Sequence, residues 1–174
     1  MNYVFMTDAS CDLTQELVNE IGVEVLPMEF HMEDKSYLHY PDCRMMSLSE
    51  FYSKLKDGID SKTTQINYDN FYKSFENYLK AGKDIIYTGI STGLSGTYNT
   101  CMMAVKDLKE VYPDRKIGLL LKTLINSREA VEFPLFPQHS AKLCKLNRSS
   151  VLTMKVILSM LQKSEVRAML FRLS

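Results

Sequence analysis

Ile90-Ser91-Thr92-Gly93-Leu94-Ser95-Gly96-Thr97-Tyr98 follows an apolar, strand-like run and opens a helical pattern, carrying four Ser and Thr hydroxyls and two glycines across the junction. The first N–H groups of a helix have no partner within it and point along its axis with about half a positive charge. Gly93 and Gly96 let an anion approach that backbone closely, and Ser91, Thr92, Ser95 and Thr97 complete a cradle of hydroxyls. Read as local structure alone, the same residues are a helix cap and its entry turn.

The flanking pattern fixes the fold class. Upstream, a strand over Ile85–Ile90 is preceded by a helix from Tyr68 to Lys80, with Phe71, Phe75, Tyr78 and Leu79 on one face and Gly82 as its end. Downstream, a helix runs to Val111, stops at Tyr112-Pro113, and gives way to a strand over Lys116–Leu121. At the start of the chain, Tyr3-Val4-Phe5-Met6 reads as a buried strand ending in Thr7-Asp8. Asp12 reads as the N-cap of a helix from Leu13 to Ile21, with Leu13, Leu17 and Ile21 inward and Gly22 as terminator. Residues 23–32 read as one or two strands interrupted at Pro27, and 33–46 as a polar, irregular loop. Ser47 or Ser49 caps a helix through Leu55, Glu50 completes a capping box, and Gly58 ends it. This alternation predicts an open, mostly parallel α/β sheet with helices on both faces. Ligands of such sheets collect outside the carboxyl ends of the strands, where Thr7–Ser10 and Ser91–Thr97 both lie.

A neutral whole-chain charge conceals two unlike parts. Residues 1–117 hold 12 basic and 18 acidic residues, a net −6, whereas 118–174 hold 9 basic and 3 acidic ones, a net +6. The second part has no Asp, no Tyr and one Gly. Its Lys and Arg are scattered singly among Leu, Val, Met and Phe, which argues against a nucleic-acid arm or a basic membrane patch. The one element that reads there is an amphipathic helix around Val151–Leu161. Cys11, Cys43, Cys101 and Cys144 and the three histidines show no metal-ligand spacing, so no metal or cofactor is implied, and reduced thiols in a cytoplasmic protein fit best. No run near the N-terminus approaches the roughly 18 apolar residues that span a bilayer, so stable membrane insertion is not expected.

A second hydroxyl-rich loop, Ser61-Lys62-Thr63-Thr64-Gln65, precedes the Tyr68 helix. With Met6-Thr7-Asp8-Ala9-Ser10-Cys11-Asp12-Leu13 and the 91–98 stretch, it resembles the DegV family of bacterial fatty-acid-binding proteins, whose "TDSxxDL", "TSQ" and "SSxLSGTY" motifs occur in this order. The resemblance runs from Met1 to Ile117 and includes Val23–Met28. Thr92 stands where the family has a second Ser, and Ile66-Asn67 where it has Pro-Ser.

The resemblance implies a carrier that holds a long-chain fatty acid by its carboxylate and presents it to a separate fatty-acid kinase subunit, without being the catalyst itself. Thr63 matches the family's carboxylate-binding Thr, and Ser91, Thr92 and Ser95 lie in the other headgroup loop. Asp8, Ser10, Thr64 and Gly96 support these loops. Asp8 either orients a loop hydroxyl or caps local N–H groups. On this basis residues 1–121 form the lipid-headgroup domain and 122–174 an atypical tail. The change near position 118 is read as a shifted frame or truncated terminus, leaving the family's second domain absent and the carrier impaired. Phe71, Phe75, Met102 and Met103 fall on inner helix faces and read as core rather than as an acyl tunnel. A phosphate-binding kinase or phosphotransferase using the 91–97 loop is the alternative, although neither a GxSxG elbow nor a GxxxxGK[ST] loop occurs.

Overall fold

The computed structural model describes residues 3–11, 13–90 and 96–122. Four strands form a parallel sheet: β1 (Tyr3–Asp8), β2 (Val23–Leu26), β6 (Asp84–Ile90) and β7 (Ile117–Lys122), in the order β2-β1-β6-β7. Three others, β3 (Met28–Met32), β4 (Lys35–His39) and β5 (Ser61–Thr64), form a separate antiparallel sheet in the order β4-β3-β5. The helices are α1 (Gln15–Ile21), α2 (Leu48–Lys56), α3 (Tyr68–Lys80) and α4 (Thr97–Val111). The parallel sheet is the expected one; the antiparallel sheet is not.

Pro27 sits at the junction of the two sheets, between β2 and β3, where its missing N–H interrupts no ladder. The segment read as an irregular loop over 33–46 contains β4. Glu33 and Asp34 turn the β3–β4 hairpin with positive φ angles of 52° and 58°, the backbone of a two-residue type I′ turn built without glycine. The stretch 61–65, read as a loop, is mostly β5. It is polar because an antiparallel edge strand needs only one covered face. Helix α1 begins at Gln15, after a Thr14 cap that accepts from the Leu17 N–H, rather than at Leu13. Asp12, the expected cap, lies outside the described residues. Gly22 ends α1 in the left-handed region at φ 70°.

The core lies where α3 and α4 pack on one another and on β6. Val4, Met6, Ile85 and Tyr87 alternate onto one face of the parallel sheet, and Phe71, Phe75 and Leu79 of α3 meet Cys101, Ala104 and Leu108 of α4 above them. Phe71 and Phe75 are fully buried core residues, as read from their spacing. Met102 and Met103 are not: they are 46% and 62% exposed. Strand order reverses direction between β1 and β6. With right-handed crossovers, α1 therefore lies on the face opposite α3 and α4, and the strand order switches at the carboxyl ends of β1 and β6, where ligands of such sheets collect.

Candidate functional site

The carboxyl end of β1 is tied to β6 by two contacts. Thr7 Oγ1 donates to the Thr88 carbonyl at 2.9 Å, and the Tyr87 hydroxyl donates to Asp8 Oδ2 at 2.5 Å across 79 residues of sequence. Asp8 is 1% exposed. Its other oxygen accepts from the Ser10 backbone N–H at 2.9 Å and from the Ser10 hydroxyl. Both readings of Asp8 are therefore realised in one side chain, which caps the local backbone and orients a loop hydroxyl. Burial, with the Asp8 charge beside it, pushes the Tyr87 phenol well above the ordinary tyrosine value and keeps it a donor. The same burial raises the Cys101 thiol, which makes it inert.

Tyr87 reaches Asp8 because Gly89, two residues on and on the same face, has no side chain. A Cβ there would lie 2.8 Å from the Tyr87 hydroxyl oxygen. Gly96 plays a comparable part between two distant segments: a Cβ on it would lie 2.3 Å from Gln65 Oε1. The Gln65 side chain thus passes directly over the start of α4, joining the 61–65 segment to the end of the 91–97 loop. Gly96, the N-cap of α4, has no side chain with which to cap the helix. Ser91, Thr92 and Ser95 lie outside the described residues.

Thr63 and Thr64 do not act together. Thr63 pairs with Phe30 and Thr64 with Glu29 across the β3–β5 ladder, so alternation sends them to opposite faces. Thr64 Oγ1 is 2.9 Å from His31 Nε2, and His31 Nδ1 is 3.0 Å from Ser36 Oγ, on the outer face. Thr63 instead lines a cavity of about 380 Å³ between the small sheet, α2 and the Ala9–Ser10 turn. Its walls are mainly apolar: Met28, Phe30, Leu38, Met46, Leu48 and Phe51, with Ser10, Ser61, Thr63 and Tyr52 as hydroxyl bearers. Phe30 stacks on Tyr37 at 5.2 Å between ring centres and meets Phe51 edge-on at 5.6 Å.

None of these apolar wall residues was a sequence-level site candidate, because they belong to β3, β4 and α2, whose approach depends on the unforeseen antiparallel sheet. The signal available was composition: Phe30, Tyr37 and Phe51 cluster in a stretch otherwise rich in polar residues. Among the described residues no group of three or more His, Cys, Asp or Glu is placed to hold a metal ion. Among the described residues, Cys11, Cys43 and Cys101 form no disulfide.

Comparison with known proteins places these features. A family model described as "Uncharacterised protein, DegV family" matches residues 3–126, past the Ile117 limit read from the motifs. The DegV domain-containing protein CPE0026 of Clostridium perfringens is 34% identical over 118 residues, covering 68% of this chain and 40% of that protein. YteA of Lactococcus lactis, another DegV domain-containing protein, is 25% identical over 169 residues, 97% of this chain and 57% of its own. This chain thus spans about half the length of these relatives. Among solved structures, a "fat acid (stearic acid)-binding protein" from Eubacterium ventriosum superposes with a TM-score of 0.67 at 20% identity, covering 93% of this chain and 48% of the other. A structure described as "Fatty Acid Binding of a DegV family Protein from Thermus thermophilus" gives 0.60 at 22% identity, covering 99% and 53%.

Proposed function

Because this chain belongs to the DegV family, we propose that it binds a long-chain fatty acid, holding the carboxylate between Thr63 and the 91–97 loop. The observation that carries the reading is the position of Thr63. It is the motif threonine, and it stands in the wall of a mainly apolar cavity, two residues before Gln65, whose side chain lies over the start of α4. Hydroxyls and helix N–H groups suffice to hold a carboxylate, since charge-assisted hydrogen bonds are about twice as strong as neutral ones. Ser91, Thr92 and Ser95 supply the remaining donors. Two solved neighbours of this fold are described as binding fatty acids, which supports the same ligand class.

In this reading the chain is a carrier and not a catalyst, cytoplasmic, and its partner is a kinase subunit that phosphorylates the presented carboxyl group. No helix among the described residues is long and apolar enough to cross a membrane. We assign the headgroup role to residues 1–121; strand β7 runs one residue further, to Lys122. A cavity of about 380 Å³ is at the small end of ligand pockets, roughly 300–1,000 Å³. Each buried CH₂ contributes about 0.8 kcal/mol, so the length of acyl chain enclosed sets much of the affinity.

Thermal-shift measurements separate this reading from a phosphate-binding one, because a ligand that binds only the folded state raises the melting temperature. Stearate or palmitate stabilises the delipidated protein, and nucleotide with magnesium does not. The reverse pattern overturns the carrier reading in favour of a phosphotransferase.

A further inference from the structure

One hydroxyl in the cavity wall has its polarity set by its neighbours. Ser10 donates twice to a single oxygen: its backbone N–H is 2.9 Å from Asp8 Oδ1, and its side-chain hydroxyl donates to that same atom. A serine hydroxyl carries one proton and two lone pairs. With the proton committed to Asp8, what Ser10 presents to the cavity is acceptor only.

The arrangement resists reversal. Asp8 is 1% exposed, and a carboxylate accepts without donating. Its second oxygen is held at 2.5 Å by Tyr87, whose fully buried ring is kept in place by Phe71 and Phe75 and by the open space at Gly89. Rotating the Ser10 proton into the cavity removes a charge-assisted hydrogen bond from a buried carboxylate, a larger loss than one neutral hydrogen bond gains. A ligand carboxylate placed at Ser10 meets lone pairs, with the Asp8 charge behind them. A ligand hydroxyl placed there meets an acceptor in a wall that is mainly apolar but also carries His39, Tyr52, Ser61 and Thr63.

We propose that Ser10 is a specificity-determining acceptor, and that this cavity selects hydroxylated fatty acids over their unsubstituted parents. The proposal rests on the fatty-acid reading above and refines its ligand class. The carboxylate goes to Thr63, and a hydroxyl carried on the acyl chain donates to Ser10 Oγ, both in the wall of this cavity. One such hydrogen bond favours the hydroxylated ligand by roughly twofold to tenfold.

The test is competition against a fluorescent fatty acid on the delipidated 174-residue protein, comparing 2-hydroxypalmitate and 3-hydroxypalmitate with palmitate, and 12-hydroxystearate with stearate. At least one hydroxylated acid outcompetes its parent by twofold to tenfold, Ser10→Ala brings that ratio to one, and Ser10→Thr, which keeps the hydroxyl, preserves it. Because the readout is a ratio within each variant, a general loss of stability does not imitate the result. Equal binding of every hydroxylated acid and its parent overturns the proposal, as does a preference that survives in Ser10→Ala. If no acyl compound displaces the probe, the fatty-acid reading itself fails and this refinement fails with it.

Discussion

Replacing Gly89 with alanine tests how tightly the β1–β6 junction is built. The new Cβ lies 2.8 Å from the Tyr87 hydroxyl oxygen and 2.9 Å from its Cε1, closer than real Cβ atoms approach. Tyr87 is 0% exposed and packed edge-on by Phe71, with ring centres 5.4 Å apart, and obliquely by Phe75 at 5.7 Å, so the ring has no free space to enter. Displacing the phenol breaks its 2.5 Å hydrogen bond to Asp8, a loss of about 1.5–3 kcal/mol for a charged acceptor. Overpacking adds about 1–3 kcal/mol. The expected destabilisation is therefore about 2.5–6 kcal/mol, a large fraction of the 5–15 kcal/mol typical of a folded domain. Urea unfolding of Gly89→Ala, Tyr87→Phe and the double variant measures it. Removing the hydroxyl also removes the nearest clash, so the double variant loses less than the sum of the single ones. A Gly89→Ala protein within 0.5 kcal/mol of the parent, or strict additivity, refutes the reasoning.

Two further outcomes follow from the packing of α3 and α4. Phe75→Ala removes a fully buried ring from the core and lowers stability by about 3–5 kcal/mol, read from the urea midpoint. The Tyr68 phenol donates to Asp107 at 2.6 Å, and this bond chiefly pushes its titration up to about 12. Ultraviolet titration sees the Tyr68 transition return toward the ordinary value of about 10 in Asp107→Asn. Since the folded value is raised, the stabilisation is fully present below about pH 10 and is lost as pH rises toward 12.

Elements with a single strong period were legible from residues alone. Helix α3 announces itself through Phe71, Phe75 and Leu79, spaced by four, and the structure buries all three. Ser47 was legible as a cap because its side chain accepts from Glu50, the other half of the capping box. Two adjacent capping residues, Asp12 and Thr14, made the start of α1 ambiguous. Strand β4 was hidden by a hairpin turn made of Glu33 and Asp34, without the Asn-Gly or Asp-Gly signal that marks such turns. Strand β5 was hidden by its composition, since Ser61-Lys62-Thr63-Thr64 has no apolar alternation to detect.

The same limits apply to the candidate site. The motif residues were legible, but not their division between two faces, because Thr63 and Thr64 separate only once their strand is recognised. The partnership of Asp8 with Tyr87 joins residues 79 positions apart and leaves no local trace. The contact of Gln65 with Gly96 is equally long-range, although both residues lie in recognised motifs. Met102 and Met103 show the converse error: apolar residues on a helix were assigned to its inner face, whereas α4 turns them outward.

Whether Thr63 holds a fatty-acid carboxylate is tested most directly by mass spectrometry of the delipidated protein after reloading with stearic acid, parent and Thr63→Ala side by side. Loss of one hydrogen bond to a charged group weakens binding by at least about tenfold. The parent retains stearate through desalting, and Thr63→Ala, folded by circular dichroism, retains it at least tenfold less. A parent protein that retains no fatty acid, or a Thr63→Ala protein that retains as much as the parent, contradicts the assignment.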